Sequence, residues 1–234
     1  MSRLENSAKN IVFSFGNTIL ASILGFISRT VFIHILGTDY LGLAGLLGNV
    51  LGFLSISELG IATAIGFSLY KPLAEKDYKV VSSLMSLYRK AYSIVGTIVL
   101  ISGILLFFFL DFFILVDQQP AGTDFAYFAF LANTVVSYFL AYKTTLISSD
   151  NQAFRLVPIN MAVNTAQTVL QILVLALTRN YVVYLSVQIV CSIILMALQN
   201  IYITGKYSEV DFSSKDKLPS EKTVEIKRNV SGLI

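Results

Sequence analysis

Charged residues along this chain sit in a few clusters, and between the clusters run long, nearly uninterrupted apolar stretches. Six such stretches are long enough to cross the hydrocarbon layer of a bilayer, which takes about 20 mostly apolar residues. They cover residues 11–36, 41–69, 91–109, 125–146, 156–177 and 181–204. The expected connections are residues 37–40, 70–90, 110–124, 147–155 and 178–180, and a polar segment, 205–234, follows the last stretch. Backbone amides in lipid must be satisfied within their own segment, so these stretches predict helices rather than open strands. A transmembrane barrel would need alternating segments of about 10 residues, and these runs are continuous. No repeat stands out at the period of a solenoid. The expected fold class is all-α: a polytopic membrane helix bundle of six transmembrane helices spanning 1–204, with 205–234 as a separate polar linker.

Composition agrees. Of 234 residues, 55% are hydrophobic and 13% are charged, against about 25% charged in a soluble domain. Mean hydropathy is +0.72. Cys191, the single cysteine, lies within an apolar run and reads as a small buried filler. The first apolar run is too long for the core of a cleavable signal peptide.

The positive charges orient the bundle. With the N-terminus in the cytoplasm, 15 of the 17 lysines and arginines fall on inner segments or inner span ends. Arg179 falls outside and Arg29 within the first span, while Asp39, Asp111, Asp117 and Asp124 fall on outer loops. This bias is the signature of cytoplasmic loops. It puts both ends of the chain in the cytoplasm and accounts for the basic residues without nucleic acid as a partner.

Three features distinguish these spans from plain anchors. Gly45, Gly48 and Gly52 share one face of the second span, a spacing that usually marks close helix packing. Polar residues also recur at helical spacing: Ser14, Thr18, Ser22, Gly25 and Arg29 in the first span; Asn133, Ser137 and Thr144 in the fourth; Asn160, Asn164, Gln167 and Gln171 in the fifth; Tyr181, Tyr184, Gln188, Ser192 and Gln199 in the sixth. Each set lies along one side of its helix. An interhelical hydrogen bond in a membrane contributes only about 0.6–2 kcal/mol, so four amides on one helix exceed what packing asks for and suggest a water-filled cavity. Charge within the membrane is the third feature. Arg29 lies roughly 10 Å from the outer end of its span at 1.5 Å per residue, and Glu58 lies inside the second span. Such residues mark substrate or ion pathways by default. His34 reads as an ordinary interfacial residue, and Lys143 and Arg155 bracket the inner mouth between the fourth and fifth spans.

No zinc-binding HExxH pair, phosphate-binding loop, nucleophile elbow or aspartate-rich magnesium motif is present, so neither an enzyme nor a metal or other cofactor is expected.

The opening SAKNIVFSFGNTILASILGFISRTVFIHILGTDYLGLAGLLGNVLGFLSISELGIATAIGFSLYKPLAEKD resembles the start of bacterial polysaccharide-biosynthesis transporters, the O-antigen, capsule and teichoic-type repeat-unit flippases of the multidrug/oligosaccharidyl-lipid/polysaccharide superfamily. The likeness continues through YKTTLISSDNQAFRLVPINMAVNTAQTVLQILVLALTRNYVVYL. Its most specific pieces are residues 29–42, SELGIATAIGFSLYKPLAEKD and the DNQ turn before the fifth span. The resemblance implies one six-helix lobe of a MATE-like transporter, two such lobes forming a V around a cavity. The chain ends at EIKRNVSGLI, the run-up to an expected seventh span, so the partner would be a second lobe or another copy. The implied activity is transport of a polyprenyl-pyrophosphate-linked oligosaccharide from the inner to the outer leaflet of a bacterial cell membrane. Arg29 fits the position of a cationic residue holding the pyrophosphate. Asn160, Asn164, Gln167 and Gln171 are candidates to bind the sugar, and Glu58 is a candidate coupling-ion site. A cation-coupled multidrug antiporter of the same superfamily and a non-transporting scaffold of glycan synthesis are the alternatives.

Overall fold

The structure is a computed structural model that describes residues 3–54, 59–110 and 120–213. Among these the chain is all-helical. The helices are α1 (Arg3–Leu36), α2 (Thr38–Leu54), α3 (Leu59–Glu75), α4 (Tyr78–Phe107), α5 (Thr123–Ser149), α6 (Val157–Thr178, led by a 3-10 turn at Ala153–Leu156) and α7 (Tyr181–Lys206). Four stretches are long and apolar enough to cross a bilayer: α1, α4, α7, and α6 with its leading turn. The count is five if α5, bent by 49° between Phe139 and Tyr142, is taken as one. Just before that bend Thr134 and Ser137 donate their hydroxyls to backbone carbonyls of their own helix, a contact that competes with the helical ladder and favours bending.

Helix α5 lies at the centre, packed against α4, α7, α3 and α2, while α6 bridges α7 and α1. Tyrosines fill much of the core. Tyr127 is fully buried and donates to the Gly103 carbonyl at 2.6 Å, and Tyr88 pairs with Thr145 at 3.1 Å. Gly103 allows this approach of α4 to α5. A Cβ added there would lie 2.3 Å from the nearest Leu131 methyl.

Expected boundaries and observed ones agree within three residues at both ends of α5, α6 and α7. Elsewhere they differ, for local reasons. The first connection shrinks to Gly37, whose φ of 91° turns the chain directly into α2. The expected span 41–69 is resolved as two 17-residue helices, α2 and α3, on either side of residues 55–58, which lie outside the described residues with Glu58 among them.

The segment 70–90, expected to be a solvated loop, is helix apart from a two-residue turn. Lys76 takes a left-handed φ of 56°, and the Asp77 carboxylate caps α4 by accepting from the Val80 amide at 3.2 Å. The 30-residue α4 is therefore about 45 Å long at 1.5 Å per residue, well beyond a bilayer's apolar layer. Its first turns are buried from Val81 to Ser86. The start of the polar tail is not a free linker either, because Tyr207, Val210 and Phe212 are buried. Residues 214–234 lie outside the described residues.

The glycine face of α2 departs most from expectation. Gly45, Gly48 and Gly52 have no atom within 4 Å of where a Cβ would stand. The reason is the opposite face: Leu43, Leu47 and Leu51, one turn apart, are buried in the core. The leucines turn inward and the glycines outward, so among the described residues the glycines mediate no helix packing.

Candidate functional site

At the end of the bundle where α1 and α6 finish and α7 begins, a cavity of about 260 Å³ opens between the helices. Helix α1 contributes Gly25, Ser28, Arg29 and Phe32; α7 contributes Tyr181, Tyr184 and Gln188; Phe130 and Thr168 come from α5 and α6. Turns set this convergence. Arg179 adopts φ 49° after α6, and the Asn180 side chain then caps α7 by accepting from the amides of Val182 and Val183. This tight reversal brings Tyr181, Tyr184 and Gln188, one turn apart, against α1.

The walls are largely aromatic. Phe32 meets Tyr184 edge-on at a centroid distance of 5.1 Å and Tyr181 at 5.9 Å, and Tyr40 lies 4.8 Å from Tyr181. Such contacts favour tilted and edge-to-face rings over flat stacking. Polar groups interrupt this surface at few points. The Arg29 guanidinium and the Gln188 amide make no hydrogen bond to another described residue. The Tyr181 side chain is 3% exposed, and its hydroxyl has no hydrogen-bond partner among the described residues. Thr168 gives its hydroxyl proton to the Asn164 carbonyl, leaving its oxygen as an acceptor. Among the described residues no carboxylate lines the cavity. The result is a pocket with one positive charge and one free amide, Gln188, suited to an anion that carries oxygen groups.

Of the residues singled out in the sequence, Arg29 is in this wall, and Tyr181, Tyr184 and Gln188 of the sixth-span stripe join it. The four fifth-span amides are outside it. Asn160 accepts from Gln199 on α7 at 2.8 Å. Gln171 is buried and makes a long contact of 3.5 Å to the Tyr184 carbonyl, and Gln167 makes another of 3.5 Å to Gln171. Asn164 is exposed. Two of the amides thus join α6 to α7. Ser14, Thr18 and Ser22 lie on the exposed side of α1. Ser28, Phe32, Phe130 and Thr168 were missed in the sequence, since a lone serine, threonine or phenylalanine in an apolar run carries no signal of its own.

A second polar cluster ties the opposite end together; it is built on the DNQ turn, Lys143 and Arg155, which the sequence singled out, and on Ser7 and Asn10, which it did not. Asn10 donates to the Asn151 side chain at 2.7 Å and accepts from the Phe154 amide at 2.7 Å, and Asn151 donates to Ser7. Asp150 accepts from Gln152 and, at 2.7 Å, from Tyr207, while Lys206 donates to Gln152. Burial, aided by the bond to Asp150, raises the Tyr207 phenol pKa above its ordinary value. Lys143 donates to Thr204 at 2.7 Å and sits 4.5 Å over the Phe212 ring, and Arg155 lies against Phe154. Among the described residues no three His, Cys, Asp or Glu side chains come together as metal ligands would.

No protein-family model, curated protein or solved structure matches the chain.

Proposed function

We propose that the protein is one lobe of a flippase that carries a polyprenyl-pyrophosphate-linked oligosaccharide from the inner to the outer leaflet of a bacterial cell membrane. The observation that carries this reading is Arg29: a guanidinium in the wall of an aromatic cavity, next to the free Gln188 amide and with no described carboxylate beside it. A guanidinium keeps its charge in a low-dielectric site and grips phosphate oxygens in a fork. The membrane field assists, because moving an anion outward down an inside-negative potential gains about 2.3 kcal/mol per charge per 100 mV.

The crossing count fits a six-span lobe if α2 and α3 make one broken crossing. Helix α2 is tied near α5's start, where Tyr40 donates to the Ala121 carbonyl, and α3 touches α5's end, where Ser149 donates to the Gly66 carbonyl. The outward glycines of α2 and outward polar residues of α1 then form the face that meets a second lobe or another copy, and both ends of the chain are cytoplasmic. A multidrug antiporter would need acid in the cavity to hold a cation, and a scaffold would need no cavity.

The test is made in cells that depend on the full-length protein. Its loss is expected to leave lipid-linked oligosaccharide accumulated on the cytoplasmic leaflet. Arg29→Ala at equal abundance should restore less than about a tenth of export, the effect of losing roughly 1.4 kcal/mol, and Arg29→Lys should restore part. Full export by Arg29→Ala would remove the binding role. Normal surface glycan with new sensitivity to cationic drugs would favour the antiporter instead.

A further inference from the structure

We propose that the inner end of the bundle holds the head group of an anionic bilayer phospholipid, such as phosphatidylglycerol, between Arg89 of α4, Lys143 of α5 and the first residues of the polar tail. The site lies at the opposite end of the molecule from the Arg29 cavity and does not depend on the flippase reading. Its occupant is a lipid of the surrounding cytoplasmic leaflet, not a cargo.

The tail builds the site. Ser82 on α4 accepts from the Asp211 amide at 2.9 Å, which draws the next two residues, Phe212 and Ser213, against α4 and α5. Phe212 is buried and meets Tyr142 edge-on at a centroid distance of 6.4 Å. The Lys143 ammonium sits 4.5 Å over the Phe212 ring and donates to Thr204 of α7 at 2.7 Å. The Arg89 guanidinium donates to Ser213 at 2.8 Å. Two cations from two helices thus flank consecutive tail residues, whose Cα atoms stand about 3.8 Å apart.

Neither cation is neutralised. Among the described residues neither Arg89 nor Lys143 forms an ion pair. Asp211, the acid next to them along the tail, accepts instead from the Ser213 amide at 2.8 Å. Like charges held together repel, and an anion beside them relieves the repulsion. The hydroxyls of Thr204 and Ser213 accept from the cations and keep their own protons to donate. A phosphodiester would meet two charges and two hydroxyl donors, the kind of set that binds phosphate oxygens strongly.

Depth selects a lipid over a soluble anion. Arg89 stands two residues before the apolar stretch 91–109, Lys143 three residues before the end of 125–146, and Thr204 is the last residue of 181–204. All three therefore lie at the inner edge of the hydrocarbon layer, the level of lipid phosphates. One helical turn deeper the surface turns apolar: Phe139 on α5 and Ile201 on α7 are exposed. Gly96 of α4 lets the Phe139 ring lie against that helix, 3.3 Å from where a Cβ would stand. Acyl chains continuing from the phosphate would run along this surface. Basic pockets between transmembrane helices on the cytoplasmic side commonly seat such head groups.

The experiment is native mass spectrometry of the purified full-length protein, released from micelles that contain equal amounts of phosphatidylglycerol and phosphatidylcholine. Wild type should retain phosphatidylglycerol about tenfold or more over phosphatidylcholine, at roughly fivefold per cation. Arg89→Gln and Lys143→Gln should each lower that preference about fivefold, and the double variant should retain the two lipids equally. Lys143→Arg keeps the charge and should keep the preference, which separates lost charge from a disturbed fold. Lys76→Gln together with Lys79→Gln removes two exposed cations at the α3–α4 turn, outside the site, and should change nothing.

An unchanged preference in the Arg89→Gln/Lys143→Gln variant would overturn the proposal. So would an equal loss in the Lys76→Gln/Lys79→Gln variant, which would reduce the effect to the general charge of the inner end. Displacement of phosphatidylglycerol by inorganic phosphate at matching concentration would assign the site to a soluble anion and overturn the lipid assignment.

Discussion

Two helix pairs in this molecule use glycine in opposite ways. Between α4 and α5, Gly96 and Gly103 are contact points: an added Cβ would stand 3.1 Å from the Tyr138 Cβ and 2.3 Å from a Leu131 methyl. On α2, Gly45, Gly48 and Gly52 face away from every other described atom, although their spacing is the one that sequence reading associates with helix packing. Spacing alone therefore identifies a smooth helix face and says nothing of what lies against it. The buried residues decide that, and on α2 they are Leu43, Leu47 and Leu51, on the other side.

The comparison can be broken by substitution. Gly103→Ala should have the largest effect, a loss of about 1–3 kcal/mol from overpacking against buried Leu131, read as a fall in thermal midpoint in detergent. Leu131→Ala should recover part of that loss in the double variant, and additive effects would show that the two side chains do not meet. At the far end, Asn10→Ala leaves the Phe154 amide without its side-chain acceptor, which should cost about 1–3 kcal/mol and loosen α1 from the α5–α6 turn, seen as faster proteolysis near residue 10. Tyr127→Phe removes a single bond to Gly103 and should cost about 1 kcal/mol. Gly48→Ala should be the mildest, within about 1 kcal/mol of neutral and on the stabilising side, because alanine is the better helix former. A large loss there would mean that the glycine face is packed against something even in the isolated protein.

The tail's anchor gives a prediction in pH. The Tyr207 phenol has a raised pKa in the folded state, so the fold holds that proton more tightly than the unfolded chain does. The corresponding stabilisation is complete below the ordinary tyrosine value of about 10 and is lost as pH rises from there towards the folded value. Thermal midpoints measured between about pH 9 and 11 should fall in the wild type and fall less steeply in Tyr207→Phe. Equal slopes would show that Tyr207 is not the group responsible.

What was legible in the sequence follows from where polar groups end up. The boundaries of α5, α6 and α7 were readable because their apolar runs stop at turn residues, Gly122, Asp150, Arg179 and Asn180, that also end the helices. The extension of α4 was hidden because Ser82, Ser83 and Ser86 look like loop residues. In the fold Ser82 and Ser83 turn their hydroxyls back onto the carbonyls of Tyr78 and Lys79 and so lie buried within a helix. Arg29 stood out as a charge in an apolar run. The cavity's aromatic walls did not, because Phe32 and Phe130 have the same sequence signature as phenylalanines facing lipid. The amide stripe suggested open water, yet two of its members bond across to α7.

The turn at Lys76–Asp77 has a practical consequence. It joins two helices that continue without a break on both sides, α3 from Leu59 and α4 for 30 residues, and Glu75 and Lys76 at its tip are exposed. A chain of 25.8 kDa largely embedded in lipid offers little outline for electron cryo-microscopy to align. A small folded domain spliced between Glu75 and Asp77, entered and left through unbroken helix, would keep a fixed orientation to the bundle and act as a fiducial. It would sit at the end of the molecule opposite the Arg29 cavity, so images could be aligned on it with the cavity left free for ligand.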